Sequence, residues 1–333
     1  MNEPLLELLR ASAPEWVSGE VLRRSDAVSR VMISKRIRRL VEEGYVIESS
    51  PRKGYRLVFE PDIPTAARML PLLQGTRFAV GEWQWTERSS STNDDVRRMA
   101  LAGAPEGSVA VADVQEAGRG RRGRAWFGAP GASLAFSLLL RPPIEPRRST
   151  LLPLLAAVGV HSALQKLGLR DIGIKWPNDI LAGDRKLCGI LCEMSLDMDR
   201  IESAAMGIGL NVNTLPGDFP TDIRGIACSL AMVSGRRWNR CEVLAVILRE
   251  LDVLLEEAWN KGFEEMLQRW RAGSVTLGRR IEVVRGDGSL LEGVAMDIGP
   301  EGALLLRDDA GLRHTLHSGE VSLGKRLRGS PTP

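Results

Sequence analysis

The chain has 333 residues, with 45 Lys or Arg against 42 Asp or Glu, a formal net charge of +3. Hydrophobic residues at 44% and charged residues at 26% are ordinary for a globular chain of two or three domains and exclude a disordered or fibrous one. So mild a charge does not by itself announce nucleic-acid binding, and local clusters have to carry that argument. The longest uncharged run, Ser149 to Gln165, contains Pro153 and His161 and falls short of a membrane span, while Glu3 and Glu7 interrupt any secretory signal. Cys188, Cys192, Cys228 and Cys241 show no CxxC spacing, so a cytoplasmic protein with reduced thiols is expected.

Residues 1 to 60 read as three helices and a hairpin. Pro4 to Ser12, Ser18 to Arg24 and Ser29 to Glu43 are the helical segments, with Ser18 and Ser29 as N-caps. In the third, Ile33, Ile37, Leu40 and Val41 fall on one stripe, and Lys35, Arg38 and Arg39 point the other way. Five basic residues and no acidic one lie between Arg30 and Arg39. A short helix, a turn and such a helix have the layout of a helix-turn-helix whose second helix enters a major groove. Tyr45 to Val58 then gives two strands around a basic loop with Arg52 and Lys53, which resembles a wing.

Pro61, Pro64 and Pro71 punctuate an aperiodic stretch, read as a linker over 61–76. Arg77 to Trp85 is strand-like. Ser91, Thr92 and Asn93 open a helix whose inward face carries Val96, Met99, Ala100 and Gly103, where hydroxyl and amide groups sit beside free backbone donors. Capping explains such a run equally well.

Between the strand-like runs Ser108 to Val114 and Ser133 to Leu140 lies QEAGRGRRGRAWF, Gln115 to Phe127. Four arginines and three glycines fall within seven residues of it, 118–124. Glycine lets a backbone N–H approach a ligand closely, and the arginine fork matches carboxylate and phosphate oxygens. Strands at both ends make this an anchored anion-binding loop rather than a solvated charge run. Trp126, just beyond, could stack on a purine or pack as a core residue.

A buried helix follows near Leu151 to Leu167, then a strand from Asp171 to Trp176, a break at Pro177-Asn178-Asp179, and a hairpin through Gly183-Asp184 into Lys186 to Glu193. Ala204 to Asn213 completes an antiparallel meander that sets Lys175 and Lys186 on neighbouring strands. Each of these lysines lies among apolar residues, so each needs a carboxylate such as Asp179 or Glu193, or an anionic ligand. Gly207 and Gly209 clear space beside the sheet or mark bulges. Cys241 to Asn260 and Gly262 to Ala272 read as amphipathic helices. From about Val275, short strands with glycine turns at 286–288, 299–302 and 309–311 suggest a small β-barrel.

Ser91-Thr92-Asn93, GRGRRGRAW at 118–126, KWPND at 175–179, KLCGILCE at 186–193 and GIGLNVN at 207–213 together resemble the biotin protein ligases. With the winged segment in front, the chain is similar to the bifunctional kind that also represses the biotin operon. The resemblance implies an α+β chain: a winged helix-turn-helix over 1–60, a linker, a mixed α/β catalytic domain over 77–273 and an SH3-like β-barrel over 274–327. It implies an enzyme that makes biotinyl-5′-AMP from biotin and Mg2+-ATP and passes the acyl group to one lysine of a biotin carboxyl carrier domain.

By the same resemblance, Ser91, Thr92, Asn93 and Gln115 bind biotin, with Arg119, Gly120 and Arg121 closing a flexible loop over it. Lys186 neutralises carboxylate and phosphate as they meet. Arg124, Trp126, Lys175, Asn178 and Asn211 serve the nucleotide, and Asp179 orients or deprotonates the acceptor lysine. Arg30, Lys35, Arg38, Arg39, Arg52 and Lys53 contact operator DNA as part of a homodimer promoted by the adenylate, which is intermediate and corepressor at once. Lipoate ligases share the fold and the chemistry, but KWPND with the Lys186 segment favours biotin.

Overall fold

The structure, a computed structural model, describes residues 3–26, 29–42 and 44–326. It divides into two compact units, Met1–Ile63 and Pro64–Pro333. In the first, α1 (Glu3–Ser12), α2 (Gly19–Asp26) and α3 (Arg30–Glu42) precede a hairpin of β1 (Val46–Ser50) and β2 (Gly54–Phe59). Ser18 and Ser29 cap as expected, their Oγ atoms accepting from Val21 N at 3.2 Å and Met32 N at 3.3 Å. Leu5, Leu9, Leu22, Ile33, Ile37, Leu40, Tyr45 and Leu57 form the core. Val41 does not join it and is 49% exposed, because it sits about 80° round the helix from Ile33, at the rim of the stripe. Glu43, expected to end α3, lies outside the described residues.

The second unit begins inside the segment expected to be a linker. Helix α4 (Ala66–Leu72) buries Met69 completely, as does Leu73 just after it. Three prolines masked two apolar anchors. The strand expected from Arg77 starts only at Trp83, since Arg77 N and Nε both donate to Asp252 Oδ1, at 3.1 and 2.8 Å, which ties that turn to a helix rather than to a sheet.

Strand β3 (Trp83–Ser89), α5 (Thr92–Leu101), β4 (Val109–Gln115), β5 (Ser133–Leu140), α6 (Leu151–Lys166), β6 (Ile172–Lys175), β7 (Asp179–Ala182), β8 (Arg185–Asp197) and β9 (Arg200–Asn211) follow in order. The strands make one seven-stranded sheet, order β3-β4-β5-β9-β8-β7-β6, with only β3 and β4 parallel. Thus β7 lies between the strands of Lys175 and Lys186, which are not neighbours. Helices α7 (Leu230–Ser234), α8 (Arg240–Lys261) and α9 (Glu264–Gly273) complete this layer.

Strand alternation assigns the faces. Val109, Val111, Leu138, Leu140, Ala204 and Met206 join α6 and α8 in the main core. Ala110, Leu139 and Ala205 instead meet Val96 and Met99 of α5, whereas Gly103 stays exposed beyond the end of that helix. Helix α6 is buried around most of its circumference, as an uncharged segment between a sheet and a second helix must be.

Strands β10 (Arg279–Val284), β11 (Leu290–Ile298), β12 (Leu304–Arg307), β13 (Arg313–Leu316) and β14 (Glu320–Arg326) form a five-stranded antiparallel sheet, order β13-β12-β11-β10-β14. Among the described residues no β13–β14 pairing closes it into a barrel. Gly288, Gly302 and Gly311 take positive φ at the expected turns. Trp176 Nε1 donates to Gly302 O at 3.1 Å and Trp176 N to Thr276 Oγ1 at 2.9 Å, so the buried indole of the KWPND stretch joins the two sheets.

Candidate active site

On the α5 side of the large sheet lies a cleft of about 980 Å³, open to solvent on one side. Small residues make its floor. Gly189 of β8 and Gly207 and Gly209 of β9 all line it, and none is a bulge. A Cβ at Gly209 would collide with Cε2 of Trp126, and one at Gly207 with Oδ1 of Asn93. These glycines admit neighbouring side chains to the sheet surface.

The first turn of α5 stands at one end. Ser137 Oγ lies 2.7 Å from Thr92 Oγ1 and 2.6 Å from Asn93 Oδ1. Thr92 N and Oγ1 meet Gln115 Oε1 at 2.9 and 3.2 Å, and Asn93 Nδ2 donates to Leu191 O at 3.2 Å and Glu193 Oε2 at 2.7 Å. Ser91, Thr92 and Asn93 are all at least 96% buried. The Asn93 amide is therefore engaged by protein partners on both of its polar atoms.

The arginine-rich segment is a closed hairpin. Trp126 N donates to Gly118 O at 2.8 Å, Gly120 N to Arg124 O at 2.7 Å, and Arg119 pairs with Ala125. Its arginines part company by partner. Arg119 forks onto Asp94, at 2.8 and 2.7 Å, and reaches Glu193 at 3.3 Å. Arg121 donates to Gly319 O at 3.3 Å, Arg122 to Val284 O at 3.4 Å and Arg285 O at 3.1 Å, and Arg124 pairs with Glu320. Burial works against the charge of Arg121 and lowers its pKa, while the nearby Asp179 supports it.

Lys186 reaches this cleft through an irregularity. Asp179 pairs with Gly189 and Ile180 with Cys188, but Leu181 pairs with Lys186, so Leu187 is an extra residue on β8. Without it Lys186 would share the core-facing parity of Cys188; the bulge turns it to the Asp179 side. Its Nζ stands 2.7 Å from Asp179 Oδ1 and 5.7 Å from the Trp126 ring centre. Asp179 Oδ1 accepts no directed hydrogen bond, which makes the contact an ion pair. Lys175 pairs with Asp179 in register from the other side, and burial pushes its pKa below the usual lysine value.

Thus Ser91, Thr92, Asn93, Gln115, Arg119, Gly120, Arg121, Arg124, Trp126, Lys175, Asn178, Asp179 and Lys186 all line one cleft. Asn211 does not: its Nδ2 donates to Cys228 O at 3.1 Å, on the strand end beyond Gly209. Asn178 lines the cleft but also bridges strands, its Nδ2 donating to Ile190 O at 2.5 Å. Sequence reasoning missed Ser137, Asp94, and the cleft wall contributed by Gly319, Glu320 and Val321 of the C-terminal sheet. Acidic side chains beside α5 were a readable signal for Arg119; nothing in the sequence pointed from residue 124 to 320. Cys188 is fully buried and its thiol pKa is raised by burial, so it packs rather than reacts.

In the first unit, Arg30, Lys35, Arg38 and Arg39 are exposed on α3, and Arg52 and Lys53 on the β1–β2 loop. Trp16 packs under that loop, with Lys53 Nζ 5.8 Å and the Arg56 guanidinium 4.9 Å from its ring centre. No helix among the described residues is long and apolar enough to cross a membrane.

Family models match along the chain: an HTH domain over residues 3–56, the Biotin/lipoate A/B protein ligase family over 85–213, and the biotin protein ligase C-terminal domain over 276–324. The chain is 34% identical to the bifunctional ligase/repressor BirA of Bacillus subtilis over 324 residues, 97% of this chain and 99% of the relative. Against the bifunctional ligase/repressor BirA of Escherichia coli the identity is 31% over 320 residues, 96% and 97% of the two chains. Among solved structures, biotin protein ligase from Aquifex aeolicus in complex with biotin and ATP superposes with a TM-score of 0.63 at 28% identity, covering 74% of this chain and 99% of that one.

Proposed function

The chain belongs to the biotin protein ligases, among them to the bifunctional ligase/repressor kind, and from that premise we propose that the cleft makes biotinyl-5′-AMP and transfers biotin to a carrier-domain lysine. The observation that carries the reading is convergence: five separate segments, 91–93, 115–126, 175–179, 186–191 and 207–209, line one basic cleft.

In the first step a biotin carboxylate oxygen attacks the α-phosphorus of ATP and pyrophosphate leaves. Two anions must meet, and Lys186 and Arg121 are the cations we assign to that meeting point, stabilising charge as it builds. Thr92 and Gln115 recognise the ureido ring, the Trp126 indole and Arg124 hold the nucleotide, and Lys175 adds positive charge behind Asp179. In the second step the acceptor amine attacks the acyl carbon and AMP leaves. Asp179 orients that amine or takes its proton, which a lysine with a reference pKa of about 10.4 otherwise keeps at neutral pH. Arginines and lysines outnumber carboxylates on the cleft wall. This donor set suits a triphosphate, and magnesium, which usually keeps waters and substrate phosphates as ligands, would arrive with the nucleotide.

The first unit is proposed to bind operator DNA as one half of a homodimer, with the adenylate as the signal that brings two copies together. Biotin-dependent exchange of labelled pyrophosphate into ATP tests the ligase reading. Exchange with biotin and not lipoate, lost in Lys186→Ala, is expected. Exchange with lipoate alone would reassign the substrate, and tight adenylate binding without exchange would make the chain a sensor.

A further inference from the structure

We infer that Arg119 is a positioning residue: its guanidinium, gripped by Asp94 and Glu193, fastens the neck of the arginine hairpin to α5 and does not hold the ligand's anions. The inference rests on the ligase reading and departs from the expectation that Arg119, with Gly120 and Arg121, closes the loop over biotin and binds it.

Among the hairpin's four arginines, Arg119 is the one with two carboxylate partners. Its bidentate fork on Asp94 is the geometry in which a guanidinium is best matched. An incoming carboxylate or phosphate would have to displace Asp94 or Glu193 and then sit beside the freed negative charge. Arg121, by contrast, has a single main-chain carbonyl partner at 3.3 Å and remains available to an anion.

Position in the hairpin says what the clamp does. Arg119 pairs with Ala125 where the two arms meet, so holding it holds the neck. Four residues earlier, Gln115 is fastened to Thr92; Arg119 is fastened to Asp94, two residues further along the same helix. Glu193 Oε2 joins both sets, taking hydrogen bonds from Asn93 Nδ2 and Arg119. The turn assigned to biotin and the loop assigned to phosphate are thus laced to each other at two points. Asp94 and Glu193 are positioning residues by the same argument.

The test is pyrophosphate exchange in the full chain for Arg119→Ala, Arg119→Lys, Asp94→Asn and the double variant Asp94→Asn/Arg119→Ala, with trypsin cleavage of the unliganded hairpin followed in parallel. Each single change is expected to raise the biotin KM about tenfold or more while kcat falls by less than about threefold, the pattern of lost positioning rather than lost chemistry. The double variant should be no worse than Arg119→Ala, because partners in one contact do not add. Cleavage after Arg121, Arg122 or Arg124 should quicken in every variant, Arg119→Lys included, since an ammonium keeps the charge but not the fork.

A fall in kcat of about a hundredfold in Arg119→Ala with Asp94→Asn unaffected would overturn the inference, because that is the signature of a group acting on the reacting anions. Additive losses, or unchanged cleavage, would also overturn it. Thermal melts separate a misfolded variant from an unclamped one. Wild-type chain without biotin-dependent exchange would sink the ligase reading instead, and the proteolysis would still report on the clamp.

Discussion

Lys186 Nζ stands 2.7 Å from Asp179 Oδ1, and the two meet because Leu187 is bulged out of the ladder between β7 and β8. One strand pair therefore presents, side by side, the cation assigned to adenylation and the carboxylate assigned to transfer. Their pairing has a consequence for order of events. Lys186 holds Asp179 in this structure, and on the proposed mechanism an anion that took the ammonium would release the carboxylate toward the acceptor amine.

Lys186→Ala and Asp179→Asn should accordingly separate the two half-reactions. Lys186→Ala is expected to cut pyrophosphate exchange by ~10²–10³, the usual loss on removing one group that stabilises developing charge. The Lys186 side chain is 38% exposed, but Asp179 is 17% exposed and its Oδ1 is buried without another partner, so some loss of melting temperature should accompany the loss of exchange. Asp179→Asn should spare exchange more than it spares transfer from preformed biotinyl-adenylate to a carrier lysine. Equal losses in both half-reactions would break the division of labour.

Gly209→Ala tests the place of Trp126. A Cβ there would collide with the indole at Cε2, so the ring must lift from the sheet and draw the hairpin arm with it. The expected result is an ATP KM raised about tenfold with a smaller change for biotin, as loss of a stacking surface worth ~1–3 kcal/mol would give. An unchanged ATP KM with altered indole fluorescence would show that the ring moves but is not the nucleotide's platform.

Much of this site is legible in the sequence, and for a physical reason. Cations and small polar groups that face a ligand, and glycines that admit a ligand or a functional side chain to the sheet, stand out against apolar strands at 118–126 and 207–209. What escaped were features set by register and by long-range pairing. Alternation alone would have turned Lys186 toward the core, and only a pairing shift reveals the bulge. The grip of Gly319, Glu320, Val284 and Arg285 on the hairpin joins segments about half the chain apart, with no periodicity to announce it. Asn211 sits in the right motif yet faces Cys228 O, because the strand ends there. Met69 and Leu73 were hidden by the prolines around them.

His161 gives the second unit a pH dependence of known sign. It is 7% exposed on α6, its Nε2 lies 3.4 Å from Ile172 O, and burial lowers its pKa from the ordinary 6.5. The folded state holds it neutral, whereas the unfolded chain takes up the proton near the ordinary value. Its contribution to stability is thus full above that value and is lost as pH falls from 6.5 toward the lowered folded pKa. Melting temperatures of wild type should drop between about pH 7.5 and pH 5.5 by more than those of His161→Gln, whose side chain does not titrate in that range. Parallel pH profiles would place the sensitivity elsewhere.

The exposed cations of the first unit make the last prediction. If α3 lies in a groove with Lys35, Arg38 and Arg39 on phosphates, each neutralised phosphate releases condensed counterions, and affinity falls with salt in proportion to the number of contacts. Lys35→Ala, Arg38→Ala and Arg39→Ala should each reduce the slope of log affinity against log salt by about one, measured with the full chain on random-sequence duplex DNA. Arg52→Ala and Lys53→Ala should act likewise if the β1–β2 loop touches the backbone as a wing does, and Arg30→Ala if the start of α3 does. Random sequence is the right probe because phosphate contacts carry no base information and so do not depend on knowing the operator. A cation at a base edge would leave the slope nearly unchanged here and matter only on a specific site, so the slope sorts these residues one by one. Should all of them leave both slope and affinity unmoved, the basic face of α3 would be a solvated surface, and the repressor role would lose its physical support.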